Sequence, residues 1–309
     1  MKKYVHIIEY MQRGPMWSLM HGLEQYDNHL ILETQNRYMD LHEFDRNTIF
    51  VFHSSGKNFP MICELMNFLS KGLKCAVFIH TLPDYIIEKG FEDFLPYIKD
   101  VKKRFGCIIM VPSSVAKQMF GEYGIDVEVV NLGIVPIRIS SQIDYTKLGK
   151  YTNRIITVST KNTSKYKKAK GIDRFYELME MSGRKKEALV LGNESDEVIE
   201  NIKLTHDEFL YVLSTAKVYI QLSRSESYNI SAIEAKQLKV PILVSDSTGH
   251  KDSVRDGFFR AKNLAEANEK LSKILAMGSE VKDRIESNYN DSIDYESIYS
   301  FKKRIEQVV

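Results

Sequence analysis

The chain has 309 residues, 43% of them hydrophobic and 27% charged, with seven prolines and a formal net charge of +2; this excludes an intrinsically disordered chain and gives no indication of a nucleic-acid partner. That length is the expectation for two domains of roughly 150 residues each. Three cysteines, Cys63, Cys75 and Cys107, are odd in number, lack metal-ligand spacing and lie in apolar stretches, so they read as buried thiols of a reducing compartment.

Met1-Lys2-Lys3 opens the chain, but the run Tyr4 to Glu9 is too short and too soon interrupted by charge to form a signal-peptide core. No apolar run reaches the ~18 residues of a membrane span. The reading is a cytoplasmic protein, or one held peripherally at the inner face of a membrane.

Short β-rich apolar runs alternate with segments of helical period, the pattern of βαβ units and parallel sheets. The first half predicts strands over Lys3 to Glu9, His29 to Glu33, Thr48 to His53, Lys74 to His80, Cys107 to Pro112 and Val127 to Asn131. Between the fourth and fifth, Phe91, Phe94, Leu95 and Ile98 alternate with Lys99, Lys102, Lys103 and Arg104. A core helix with a basic outer face is preferred there over a membrane-surface helix. The polar stretch Ser140 to Asn153 reads as an interdomain linker. Further strands follow over Arg154 to Ser159, Glu187 to Gly192, Lys217 to Leu222 and Val240 to Ser245, with helices over Asp173 to Met181, His206 to Thr215 and Ile230 to Leu238. The last stretch, Val281 to Val309, carries Tyr295, Ile298, Tyr299, Phe301 and Ile305 at helical spacing. The expected class is therefore α/β, with two facing Rossmann-like doubly wound domains at 1–145 and 146–285, and a helical tail at 286–309 packing near the domain junction.

In doubly wound sheets ligands bind beyond the carboxyl ends of the strands. After the strand Lys217 to Leu222 comes Ser-Arg-Ser-Glu-Ser-Tyr-Asn-Ile-Ser-Ala-Ile-Glu-Ala, which puts Glu226 in a loop and Glu234 eight positions later inside a helix. Tyr228 to Ile230 would form the helix start, whose N–H groups and positive dipole end suit a diphosphate. The two carboxylates would bracket it and accept hydrogen bonds from sugar hydroxyls.

At these residues the sequence resembles glycosyltransferase family 4, whose members share the GT-B fold and a glutamate pair at this spacing. Downstream, Glu234-Ala235, Val240 to Ser245, Gly249 and Asp256-Gly257 follow that family's order. Upstream, Lys170-Gly171-Ile172-Asp173 resembles its lysine-glycine helix start and Leu189 to Gly192 its next strand and turn, while Val129 to Ile134 and Pro112 to Ser114 resemble first-domain segments. The resemblance implies that Glu234 accepts from the donor ribose, that Glu226 contacts the transferred sugar, and that backbone groups of Ser227, Tyr228, Asn229 and Ile230 hold phosphate and sugar. It further implies that Lys170 neutralises the departing diphosphate, that His80 lies by the reacting sugar, that His53 lies on the acceptor side, and that Gly14 lies near the diphosphate. Three places depart from the pattern: Thr160-Lys161-Asn162 stand where an arginine is common, with Lys161 or Lys165 as its substitute; Ser227 and Asn229 replace glycines; and Gly14-Pro15 replaces a glycine pair.

The implied activity is retaining transfer of a hexose-type sugar from a nucleotide-diphosphate sugar, uridine-based, to a hydroxyl acceptor that is a glycan, a lipid-linked glycan, a protein or another molecule. No Asp-x-Asp motif follows a strand, so no metal and no cofactor are expected. Two other readings use the same architecture: a silent binding subunit that supports a partner transferase, and a sugar-nucleotide epimerase or phosphorylase.

Overall fold

The computed structural model describes residues 2–9, 20, 22–34, 44, 47–54, 59–88, 90–159, 169–192, 199–246 and 249–309. The chain divides into two compact units, one of Met1–Val135 with Ile298–Val309 and one of Pro136–Ser297. The sequence predicts a boundary at 145/146 and a separate tail over 286–309; the boundary falls instead after Val135, and the last helix, Ile298–Val308, belongs to the first unit.

The first unit contains β1 (Lys3–Glu9), β2 (His29–Thr34), β3 (Thr48–Ser54), β4 (Lys74–Ile79), β5 (Ile108–Val111) and β6 (Glu128–Val129) in the order β2-β1-β3-β4-β5-β6. Every pairing is parallel. Parallel strands are covered on both faces, which is why they read as unbroken apolar runs; all seven residues of β3 are buried. On one face Val5, Ile7, Phe50, Phe52, Val77 and Ile79 pack against residues such as Phe68, Ile98 and Phe120 of the helices Phe59–Ser70, Phe94–Phe105 and Ser114–Glu122. The opposite face meets the C-terminal helix, where Phe301 sets its ring edge-on to Phe78 at 5.9 Å. Helix Phe94–Phe105 buries Phe94, Leu95, Ile98 and Val101 and gathers Lys102, Lys103 and Arg104 in its last turn, where cations complement the helix dipole. Its apolar stripe belongs to the core, as preferred from the sequence.

The second unit contains β7 (Ile155–Ser159), β8 (Ala188–Gly192), β9 (Glu200–Ile202), β10 (Val218–Gln221), β11 (Ile242–Ser245) and β12 (Arg260–Ala261), again all parallel, in the order β12-β11-β10-β7-β8-β9. Counted within the unit this is the 3-2-1-4-5-6 order of the dinucleotide-binding fold, with strand order reversing between β7 and β10. The sequence reading misses β9 and β12, whose three and two residues are too few to show a period.

The stretch 140–153 is not a bare linker. Asp144 caps a short helix, Tyr145–Leu148, through the Thr146 amide, and a 3-10 turn follows over Gly149–Tyr151. Ile143, Leu148 and Tyr151 pack on Ile156, Leu189, Leu191 and Val212 of the second unit. Three apolar residues among many polar ones were too sparse to show as an element. Among the described residues no helix is long and apolar enough to cross a membrane.

Candidate active site

The reversal between β7 and β10 creates the crevice in which doubly wound sheets hold ligands. Gly171 has φ +69, and a Cβ on it would overlap the Leu222 carbonyl. Only glycine permits this backbone to lie against the end of β10. The approach is fastened by Gln221 Nε2 donating to the Lys170 carbonyl at 2.6 Å, by the Arg224 amide donating to Ala169 O at 2.8 Å, and by a two-pronged Arg224–Asp173 ion pair at 2.7 Å on each prong. Lys170 Nζ consequently lies 2.5 Å from Glu226 Oε2, and the glutamate is only 8% exposed. Two residues 56 positions apart thus form one charged pair.

Asn229 caps the helix Ile230–Gln237, its Oδ1 accepting from the Ala232 amide at 3.0 Å. The other end of that side chain, Nδ2, donates to His250 Nε2 at 3.0 Å. His250 must therefore carry its proton on Nδ1, which faces the Ser245 carbonyl and hydroxyl, each at 3.0 Å. Burial holds this imidazole down to about 4, with the Lys170 cation pushing the same way and the Glu226 carboxylate and Ser245 carbonyl opposing. Gly249 lets the following turn press on the loop, since a Cβ there would overlap the Glu226 carbonyl.

Glu234 is 3% exposed. Its Oε1 lies 2.8 Å from His206 Nε2, whereas Oε2 is buried with no hydrogen-bond partner among the described residues. Burial alone would lower the His206 pKa; the Glu234 carboxylate reverses this and raises it. A buried carboxylate oxygen without a donor is costly unless a ligand supplies one.

Residues 142–291 match the family model described as glycosyl transferases group 1. That span lies inside the second unit and holds Lys170, Glu226, Asn229 and Glu234. No curated protein matches the chain in sequence. Among solved structures the chain is similar to Anabaena HepE in complex with UDP-glucose (TM-score 0.74, 10% identity, covering 99% of this chain and 98% of that one). It is also similar to a glycosyltransferase from Rickettsia africae (TM-score 0.69, 14% identity, 99% and 97% covered) and to an alpha,alpha-trehalose 6-phosphate synthase from Burkholderia multivorans (TM-score 0.69, 10% identity, 99% and 97% covered). At such identities the likeness carries the fold: α/β with parallel sheets, as in these GT-B glycosyltransferases.

The group 1 glycosyl transferase match covers the second-unit residues singled out from the sequence. Lys170 and Glu226 are brought together; Asn229 supplies the cap and Ile230 the first helical residue, while Tyr228 is buried beside them. The Ser227 carbonyl faces Gly249. Gly14, Lys161 and Lys165 lie outside the described residues. In the first unit His80 directly follows β4, and its amide donates to Ser54 O at 2.9 Å. His53 is 1% exposed, its Nδ1 lying 2.9 Å from His80 Nε2, so its ring is shut off from solvent behind its neighbours. Cys75 and Cys107 are buried free thiols, and burial pushes Cys107 up to about 12; the side chain of Cys63 is outside the described ones.

Sequence reasoning missed His206, Gln221, Ser245 and His250. His206, Gln221 and Ser245 stand inside segments already read as a helix and two strands, where nothing in the pattern marks them as site residues; His250 lies past the end of the strand that closes at Ser245, and that position was the signal available for it. Hollows border the second unit among the described residues, two of them at opposite ends of its strands. One of about 270 Å³, lined by Arg174, Leu222, Ser245, Lys262 and Asn263, opens at the carboxyl ends of β10 to β12. The other, of about 510 Å³, is lined by Asn153, Lys217 and Pro241 at the amino ends of the strands, the edge away from Glu226 and Glu234.

Proposed function

We propose that this protein is a retaining glycosyltransferase of the family 4 type, which moves a hexose-type sugar from a UDP-linked donor to an acceptor hydroxyl. The observation that carries this reading is Glu234 Oε2, a buried carboxylate oxygen with no donor among the described residues, inside the helix that follows the loop of the Lys170–Glu226 pair. Ribose hydroxyls satisfy such an oxygen, and the other Glu234 oxygen is already fixed by His206.

The chemistry follows from charge. Breaking the anomeric bond leaves growing negative charge on the nucleoside diphosphate. Lys170, paired with Glu226, supplies a cation for a phosphate, and the start of helix Ile230–Gln237 adds its positive dipole end. Glu226, released in part from Lys170, can accept from a hydroxyl of the sugar. His80 is assigned a sugar hydroxyl on the first unit. These groups supply positive charge without a divalent ion, and no metal is assigned a role. The acceptor is a hydroxyl compound, and a cytoplasmic site of action accords with the buried free thiols Cys75 and Cys107.

The test is calorimetric titration of the purified chain with UDP-glucose, beside the Glu234→Ala variant. Binding that weakens by about ten- to a hundredfold in the variant, the worth of hydrogen bonds to a charged group, supports the reading. Equal affinity in both proteins removes Glu234 from a donor site.

A further inference from the structure

Four of the eight histidines, His6, His29, His53 and His80, stand on or at the end of the first four strands. Strand register makes them a row. His29 pairs with Tyr4, two residues before His6; His6 pairs with Val51, two residues before His53; and His53 pairs with Phe78, two residues before His80. A two-residue step keeps all four on one face of the sheet and advances about 6.6 Å along the strands each time. The row therefore climbs diagonally, about 20 Å in the strand direction, from the first residue of β2 to the residue just past β4.

The rings touch end to end. His29 Nδ1 is 2.9 Å from His6 Nε2, His6 Nδ1 is 2.9 Å from His53 Nε2, and His53 Nδ1 is 2.9 Å from His80 Nε2. At the start of the row His29 Nε2 lies 3.4 Å from Glu306 Oε1 on the C-terminal helix. At its other end His80 Nδ1 is covered and has no partner among the described residues.

Burial keeps the rings neutral, so each has one N–H and one lone pair. Glu306 stays ionised: burial of its carboxyl resists this, but Lys302 at 2.8 Å and Asn28 at 2.7 Å, with His29, hold it below its usual range. A carboxylate can only accept, so His29 donates from Nε2 and must accept at Nδ1. His6 then donates from Nε2 and accepts at Nδ1, and the same choice passes to His53 and to His80. The direction of every bond in the row follows from the charge at Glu306.

We infer that Glu306, acting through His29, His6 and His53, fixes His80 with its proton on Nε2, leaving Nδ1 as a hydrogen-bond acceptor for a ligand hydroxyl. Glu306 and the three inner histidines are positioning residues; only His80 meets the ligand. A phosphate or carboxylate oxygen, having no proton to give, is refused at this nitrogen. That the hydroxyl belongs to a sugar rests on the glycosyltransferase reading, whereas the tautomer does not.

The experiment is heteronuclear NMR of the full chain with isotope-labelled histidine rings, in which nitrogen–proton couplings distinguish the two tautomers. Wild type and Glu306→Gln, whose amide oxygen can still accept from His29, are expected to show His80 with a bare Nδ1. In Glu306→Leu the ammonium of Lys302 is left as the charge acting on His29, which favours a lone pair at Nε2 and tips the row the other way, so a proton appears on His80 Nδ1. A protonated Nδ1 in the wild type, or an unchanged His80 in Glu306→Leu, overturns the inference. Steady-state transfer from UDP-glucose forms the second arm. An even mixture of tautomers lowers the competent fraction, and with it the apparent affinity, by about twofold, and a full reversal lowers it further. A wild type with the expected tautomer but no transfer refutes the glycosyltransferase reading and leaves the row intact.

Discussion

Acidification adds a proton to His250 in the unfolded chain long before it does so in the folded one. The folded imidazole sits near 4, against an ordinary 6.5, because it is buried and its Nε2 already accepts from Asn229. Its stabilising contribution is therefore complete above about pH 6.5 and is lost as the pH falls towards 4, since only the unfolded state binds the proton in that window. Each pH unit below 6.5 costs about 1.4 kcal/mol, so the loss from this one ring reaches about 2 kcal/mol at pH 5. In a unit of this size that corresponds to roughly 4–8 °C in unfolding temperature. Calorimetric unfolding of the wild type and of His250→Gln, each at about pH 7.5 and about pH 5, isolates the effect. Gln can accept from Asn229 and donate towards Ser245 without titrating. The buried histidines of the first unit titrate equally in both proteins, so the acid-induced loss in the second unit's transition should be about 2 kcal/mol smaller in the variant. Equal losses in the two proteins would show that His250 accepts a proton in place, and would refute the donor direction assigned to Asn229.

Gly171→Ala forces a left-handed Cβ into the Leu222 carbonyl; it should destabilise the second unit by more than about 1 kcal/mol, read as a lowered unfolding temperature. Lys236 and Glu296 form an ion pair at 2.6 Å with both side chains 2% exposed. Lys236→Met alone should cost about 3–5 kcal/mol, while Lys236→Met with Glu296→Leu should recover most of it in urea unfolding. Lys170→Ala should slow turnover by tenfold or more while changing UDP affinity less, because the charge it meets grows during bond breaking; comparable losses in both would make it a ground-state contact only. Transfer should persist in excess chelator, and metal-reversible loss of activity would contradict the charge assignment made to Lys170 and the helix start.

The long strands were legible because burial on both faces demands unbroken β-branched and aromatic runs; β1 spans Lys3–Glu9 as the sequence predicts. Strands of two or three residues leave no such trace, and β9 and β12 were invisible for that reason. Within the site, Glu226, Asn229 and Glu234 were legible because a strand, a loop and a helix start impose their spacing. The meeting of Lys170 with Glu226 was not, for it depends on where the chain re-enters the sheet after β7, which Gly171 decides by close approach. The histidine row was hidden differently. Its members are recognisable as strand residues, but their alignment depends on pairing offsets that no local pattern encodes.

That alignment has a consequence for how the first sheet assembles. Moving any one strand by a single residue would turn its histidine to the other face, leaving neighbouring ring nitrogens buried and unsatisfied at about 1–3 kcal/mol for each. Apolar contacts between parallel strands rich in valine, isoleucine and phenylalanine tolerate sliding far better than this, because any aliphatic neighbour serves. The rings therefore work as a vernier scale scored across β2, β1, β3 and β4, whose marks coincide in one setting only. Mispaired intermediates of this slow, non-local topology are penalised at the one place where the sheet is otherwise indifferent to its own offset.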